Sequence, residues 1–95
     1  MKGEYKIVRT YSAGVSAGFI GSEDGKEVTL TDARRLWYWA GAASLSQLAM
    51  QGTKKPKDCK FPMPVARVKL LEAIEILDVT PEAKESIQTV PVWEQ

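Results

Sequence analysis

The sequence predicts an α+β fold, a small antiparallel β-meander or partly open barrel with two short helices. Three observations lead there. The N-terminal part alternates β-branched and aromatic residues with polar ones and is interrupted by glycine-bearing turns. Two helix starts are spelled out by capping residues, at Ser44 and at Thr80-Pro81. At 95 residues the chain buries only about 60–70% of its unfolded surface, so strands and helices share one interior and residues 1–95 form a single domain.

Tyr5 to Tyr11 reads as a strand that stops at Ser12-Ala13-Gly14. Val15 to Ile20 continues extended, and the Asp24-Gly25 step supplies the positive φ that a tight hairpin needs. Val28 and Leu30 alternate with Glu27, Thr29 and Thr31, giving a strand with one wet face. From Asp32 the pattern resumes as a strand reaching Trp39, with Leu36 and Tyr38 on one face and Arg35, Trp37 and Trp39 on the other. Ser44 followed by Gln47 is a capping-box pattern, and Leu45, Leu48 and Ala49 make a short helical stripe closed by Gly52. Thr53 to Lys60 carries four lysines, a proline and no apolar period, so it reads as an exposed loop, followed by a poorly paired segment, Phe61-Pro62-Met63-Pro64. Val65 to Val79 fits two periods. Leu70, Ala73, Ile74 and Leu77 match a helix, whereas Leu70, Ile74 and Ile76 match one face of a strand with Glu72 as an exception. The strand is preferred because it supplies the partner that a four-stranded sheet needs. A helix from about Pro81 to Gln88 turns Ala83 and Ile87 inward, and the tail Pro91-Val92-Trp93 is apolar enough to dock on the sheet or on a neighbouring subunit.

Composition excludes several functions. A hydrophobic share of 44% with 26% charge is ordinary for a globular chain, and a net charge of +1 creates no field that recruits nucleic acid or an anionic membrane. General nucleic-acid binding is therefore not expected. The absence of histidine removes the commonest general base and zinc ligand, and the single cysteine, Cys59, allows neither an internal disulfide nor a thiolate metal site. No cofactor and no metal are expected, and the reading is non-enzymatic. A reducing, cytosolic compartment fits this cysteine usage. The start lacks the apolar stretch of a signal peptide, and the uncharged run Leu36 to Thr53 is too rich in Gly, Ser and Gln to span a bilayer.

The chemistry concentrates in Arg34-Arg35-Leu36-Trp37-Tyr38-Trp39. Guanidinium forks match phosphate oxygens and ring faces stack bases, each stacked base being worth about 1–3 kcal/mol. Tyr11 and Ser12 add a phenol and a hydroxyl beside Gly14. The candidate ligand-binding residues are Arg34, Arg35, Trp37, Trp39, Tyr11 and Ser12, set against the plainer reading that the rings are core and the arginines solvated. Glu72 and Glu75 are sent to opposite faces of a strand and make no acid-base pair. Two indoles on the far side of a narrow ribbon, together with an apolar tail, predict a homo-oligomer.

Arg9-Thr10-Tyr11-Ser12-Ala13-Gly14-Val15, Gly25-Lys26-Glu27-Val28, Ala33 to Trp39, Gly41 to Ala49, Cys59-Lys60-Phe61 and Glu72 to Ile76 together resemble a family of small, uncharacterised proteins encoded by tailed phages and prophages. The likeness runs over nearly the whole chain. It transfers no catalytic residue and favours β structure for Glu72 to Ile76. It implies a viral protein acting in the host bacterial cytoplasm. Three roles follow from that: an oligomeric sponge sequestering a nucleotide-derived immune signal, a virion or assembly protein, or an inhibitor of a host enzyme.

Overall fold

The computed structural model describes residues 3–94. Strands β1 (Tyr5–Thr10), β2 (Val15–Asp24) and β3 (Glu27–Arg35) form the meander that the turn residues require. Gly25, with φ of 62°, closes a two-residue turn between Asp24 and Glu27, which face each other across the ladder. β4 (Val65–Leu70) and β5 (Ala73–Asp78) complete an antiparallel sheet in the order β4-β3-β2-β1-β5. Two helices, α1 (Leu45–Gln51) and α2 (Pro81–Thr89), accompany it. The result is an α+β domain built on an open five-stranded sheet.

The sheet curls strongly. β4 and β5 are successive in sequence yet form its two edges, linked only by Leu71 and Glu72. A flat five-stranded sheet would be about 19 Å across, whereas two linking residues span at most about 11 Å between Leu70 and Ala73. The edges therefore approach at that corner, where the Ala73 N–H also donates to the Lys26 carbonyl at 2.9 Å.

Curling creates two apolar clusters, one on each face. Ile7 and Val8, adjacent in sequence, point opposite ways by strand alternation. Val8 joins Val28, Leu30, Ala33 and Leu70, while Ile7 joins Tyr5, Ala17, Leu36, Phe61 and the inward residues of the helices, Leu48, Ala49 and Ile87. Both helix starts are as expected. The Ser44 hydroxyl accepts from Gln47 N–H at 3.1 Å, and the Thr80 hydroxyl accepts from Ala83 N–H at 3.1 Å. Pro81 opens α2, and Ala83 and Ile87 are its buried residues.

Three expectations are corrected. The segment from Val65 to Val79 is not one strand but two, separated at Leu71-Glu72. Its apparent helical spacing arises because Leu70 and Ala73 belong to one cluster, Leu77 to the other, and Ile74 lies in water. The strand through Arg34 and Arg35 ends at Arg35 rather than Trp39. Beyond it the chain leaves the sheet, and Tyr38 pairs instead with Lys60 in an isolated antiparallel bridge. Finally, the lysine loop and the proline segment are not wholly exposed. Cys59 and Phe61 are buried, and Phe61 bridges Val92 in parallel, so the C-terminal tail docks on its own chain. Lys54, Lys55 and Lys57 stay exposed while Cys59 and Phe61 turn inward.

Candidate functional site

The two adjacent arginines have opposite fates. Arg34 is only 4% exposed. Its guanidinium donates to the carbonyls of Pro62 at 3.2 Å, Ile87 at 3.0 Å and Phe61 at 3.1 Å. Ile87 lies in the last turn of α2, where carbonyls lack helical partners and the dipole favours a cation. No basic residue of the helix itself serves there. Arg34 thus ties β3 to the Phe61-Pro62 segment and to the end of α2. Burial pulls its pKa below the ordinary value, opposed by the Tyr5 and Cys59 charges. Burial likewise pushes the Tyr5 phenol up to about 12, with Arg34 acting in the opposite direction.

Arg35 points the other way and is exposed. Among the described residues its side chain has no ion pair or hydrogen bond. It lines a solvent-open groove of about 390 Å³ with Ser12, Ala13, Gly14, Val15, Leu36, Trp37 and Trp39. Hydrogen bonds to the backbone hold the residues that line this groove in place. The Thr10 hydroxyl accepts from Ala13 N–H at 2.9 Å and donates to the Gly14 carbonyl at 2.8 Å, which fixes the turn between β1 and β2. Leu36 N–H donates to the Val15 carbonyl at 2.8 Å, which carries the exit from β3 along the same wall.

The rings are partly covered by this chain alone. Trp39 is half-buried against the larger apolar cluster. Trp37 stacks on Trp93 with centroids 5.1 Å apart and planes 8° from parallel. The Lys60 ammonium lies 5.4 Å from the Trp37 centroid, 5.7 Å from Trp93 and 5.8 Å from Tyr38. Being nearly equidistant from both indoles, it sits beside the stacked pair and not over the far face of Trp37. Trp37 is still 61% exposed. The expectation that both indoles need a partner outside the protomer is therefore corrected: one is packed internally, and the other is stacked on one face only.

Of the residues marked in the sequence, Ser12, Arg35, Trp37 and Trp39 converge on one groove, Arg34 is separated from it by burial, and Tyr11, 76% exposed, does not line it. Sequence reasoning missed Val15 and Leu36 as walls and Trp93 and Lys60 as the companions of Trp37. The apolar tail was the one signal pointing to Trp93. A larger cavity of about 460 Å³ lies elsewhere, between Tyr5, Lys6, Phe19, Asp78 and Lys84. Its charges already have partners, since Lys6 is paired with Asp78 and Glu4 and Lys84 stands 4.8 Å from the Phe19 ring centre. Among the described residues no group of acids or cysteine could hold a metal ion, and no helix is long and apolar enough to cross a membrane.

No curated protein and no solved structure matches this chain. A family model described as a domain of unknown function, DUF6948, matches residues 3–87 and takes in the sheet, the arginine pair and the aromatic groove. On that match the chain belongs to the DUF6948 domain family.

Proposed function

We propose that this protein is a non-enzymatic, phage-encoded binder that sequesters a small nucleotide-derived signal in the host bacterial cytoplasm, working as a homo-oligomer. The observation that carries this reading is the convergence of Arg35, Trp37, Trp39 and Ser12 on one groove. Its volume falls within the roughly 300–1,000 Å³ typical of small-molecule sites. A guanidinium with no partner among the described residues suits a phosphate, and an indole face left open suits a base. The lack of histidine in the sequence supports binding without turnover. The curled sheet is taken, in the same reading, as a partly open barrel whose rim carries the groove.

Calorimetry against cyclic and ADP-ribose-type nucleotides tests the reading. Heat is expected from at least one ligand, with loss of that heat in Arg35→Ala and Trp37→Ala. Silence from the whole panel removes the proposal.

A second reading, a virion or assembly protein or an inhibitor docking on a host enzyme, is favoured by the exposure of Met63, Val65 and Leu71 near the open edge of the sheet. Detection of the protein in purified particles by mass spectrometry, or one stoichiometric partner from bacterial lysate, would favour it over sequestration.

A further inference from the structure

Arg35 stands where three grooves meet, one of them a groove of about 290 Å³ that it shares with Pro62, Met63, Val65 and Val68. On one side is the aromatic groove already described. On the other is a second groove of about 250 Å³, lined by Thr10, Ser12, Ala13, Val68, Lys69, Leu70, Leu71 and Glu72. Ser12, Ala13 and Arg35 line both, so the two grooves adjoin along these residues, with Arg35 at the waist between them.

The polar groups along these two grooves differ in what the fold asks of them. The Thr10 hydroxyl holds the turn and Lys69 is paired with Glu27 at 3.2 Å. Among the described residues, the side chains of Ser12, Arg35 and Glu72 have no hydrogen bond or ion pair. The Glu72 backbone, by contrast, is held, since its carbonyl accepts from Tyr11 N–H at 3.0 Å. A carboxylate on an anchored corner thus faces the second groove with its acceptors unspent.

We infer that the ligand has two units joined by a phosphodiester: a planar base in the aromatic groove, the phosphate on Arg35, and an uncharged, hydroxyl-bearing unit whose hydroxyls donate to Glu72. The inference rests on the groove reading above. Charge sets the class. With Arg34 buried, one guanidinium remains at the waist, and one fork answers one phosphate group. Beyond it the Glu72 carboxylate repels further negative charge and accepts hydrogen bonds, which a ribose or a second nucleoside supplies. A terminal phosphate directed into the second groove would instead meet that acid.

The experiment compares a dinucleoside monophosphate, adenylyl-adenosine, with AMP by calorimetry on the full chain. The dinucleoside is expected to bind at least about tenfold more tightly. Glu72→Ala is expected to erase that advantage, both by weakening the dinucleoside and by relieving the repulsion on the AMP phosphate, and Arg35→Ala to weaken both. Circular dichroism and thermal melts confirm that each variant is folded. Equal affinities in the wild type, or an advantage that survives in Glu72→Ala, overturns the two-unit ligand and leaves the aromatic groove reading intact. No heat from either compound or from the wider nucleotide panel overturns both.

Discussion

Arg34 and Arg35 show how one residue of displacement along a strand separates architecture from availability. Arg34 answers three carbonyls in the interior. Removing it strands those acceptors, so Arg34→Ala is expected to cost about 3 kcal/mol or more, read as a fall in melting temperature of more than about 10 °C. Arg35→Ala is expected to stay within about 0.5 kcal/mol of wild type. Comparable losses in the two variants would contradict the division of labour. Tyr5 offers a second test at this scale. Its phenol is buried in the neutral form with a pKa near 12, against about 10 when unfolded. The stabilisation is complete below the unfolded value and is lost as pH rises through the folded one, by up to about 2–3 kcal/mol. Urea midpoints at about pH 9 and about pH 11.5 should therefore diverge more in wild type than in Tyr5→Phe, a comparison that cancels the lysines titrating in the same window.

The elements depend on a few junctions. Gly52 ends α1 with φ of 75° and its N–H donates to the Leu48 carbonyl at 2.9 Å. A Cβ at this position would collide with the Ser86 side chain of α2. Gly52→Ala thus combines a disfavoured backbone with a clash and should cost about 2 kcal/mol or more, measurable by denaturant unfolding. A neutral outcome would mean that α1 and α2 are not packed as described. Much of the element map was legible in advance because it is local chemistry: Ser44, Thr80, Pro81 and the Asp24-Gly25 turn act within a few residues of themselves. The fate of Trp37 and of the Val65–Val79 segment was not, since whether a strand continues depends on what lies beside it.

Across the whole molecule, the tail completes the aromatic cluster. Trp93 N–H donates to the Phe61 carbonyl at 3.0 Å, and its ring covers one face of Trp37. Trp93→Ala should remove about 0.5–1.5 kcal/mol of ring stacking and redshift the tryptophan emission as Trp37 is wetted. An unchanged spectrum would argue against the stack. The candidate site was half legible. Residue type singled out Ser12, Arg35, Trp37 and Trp39, which share a groove, but it also singled out Arg34, which the fold consumes, and Tyr11, which stands apart.

By itself the sequence determined the class of fold, the turns and the helix caps, because these follow from short-range sterics and from hydrogen bonds between near neighbours. Only the tertiary structure decided that β4 and β5 lie on opposite edges, that one arginine is interior and the other exposed, and that Trp37 has a partner in Trp93. Those outcomes depend on contacts between residues far apart in the chain, such as Arg34 with Ile87 and Trp37 with Trp93, and no local pattern encodes which distant group will arrive.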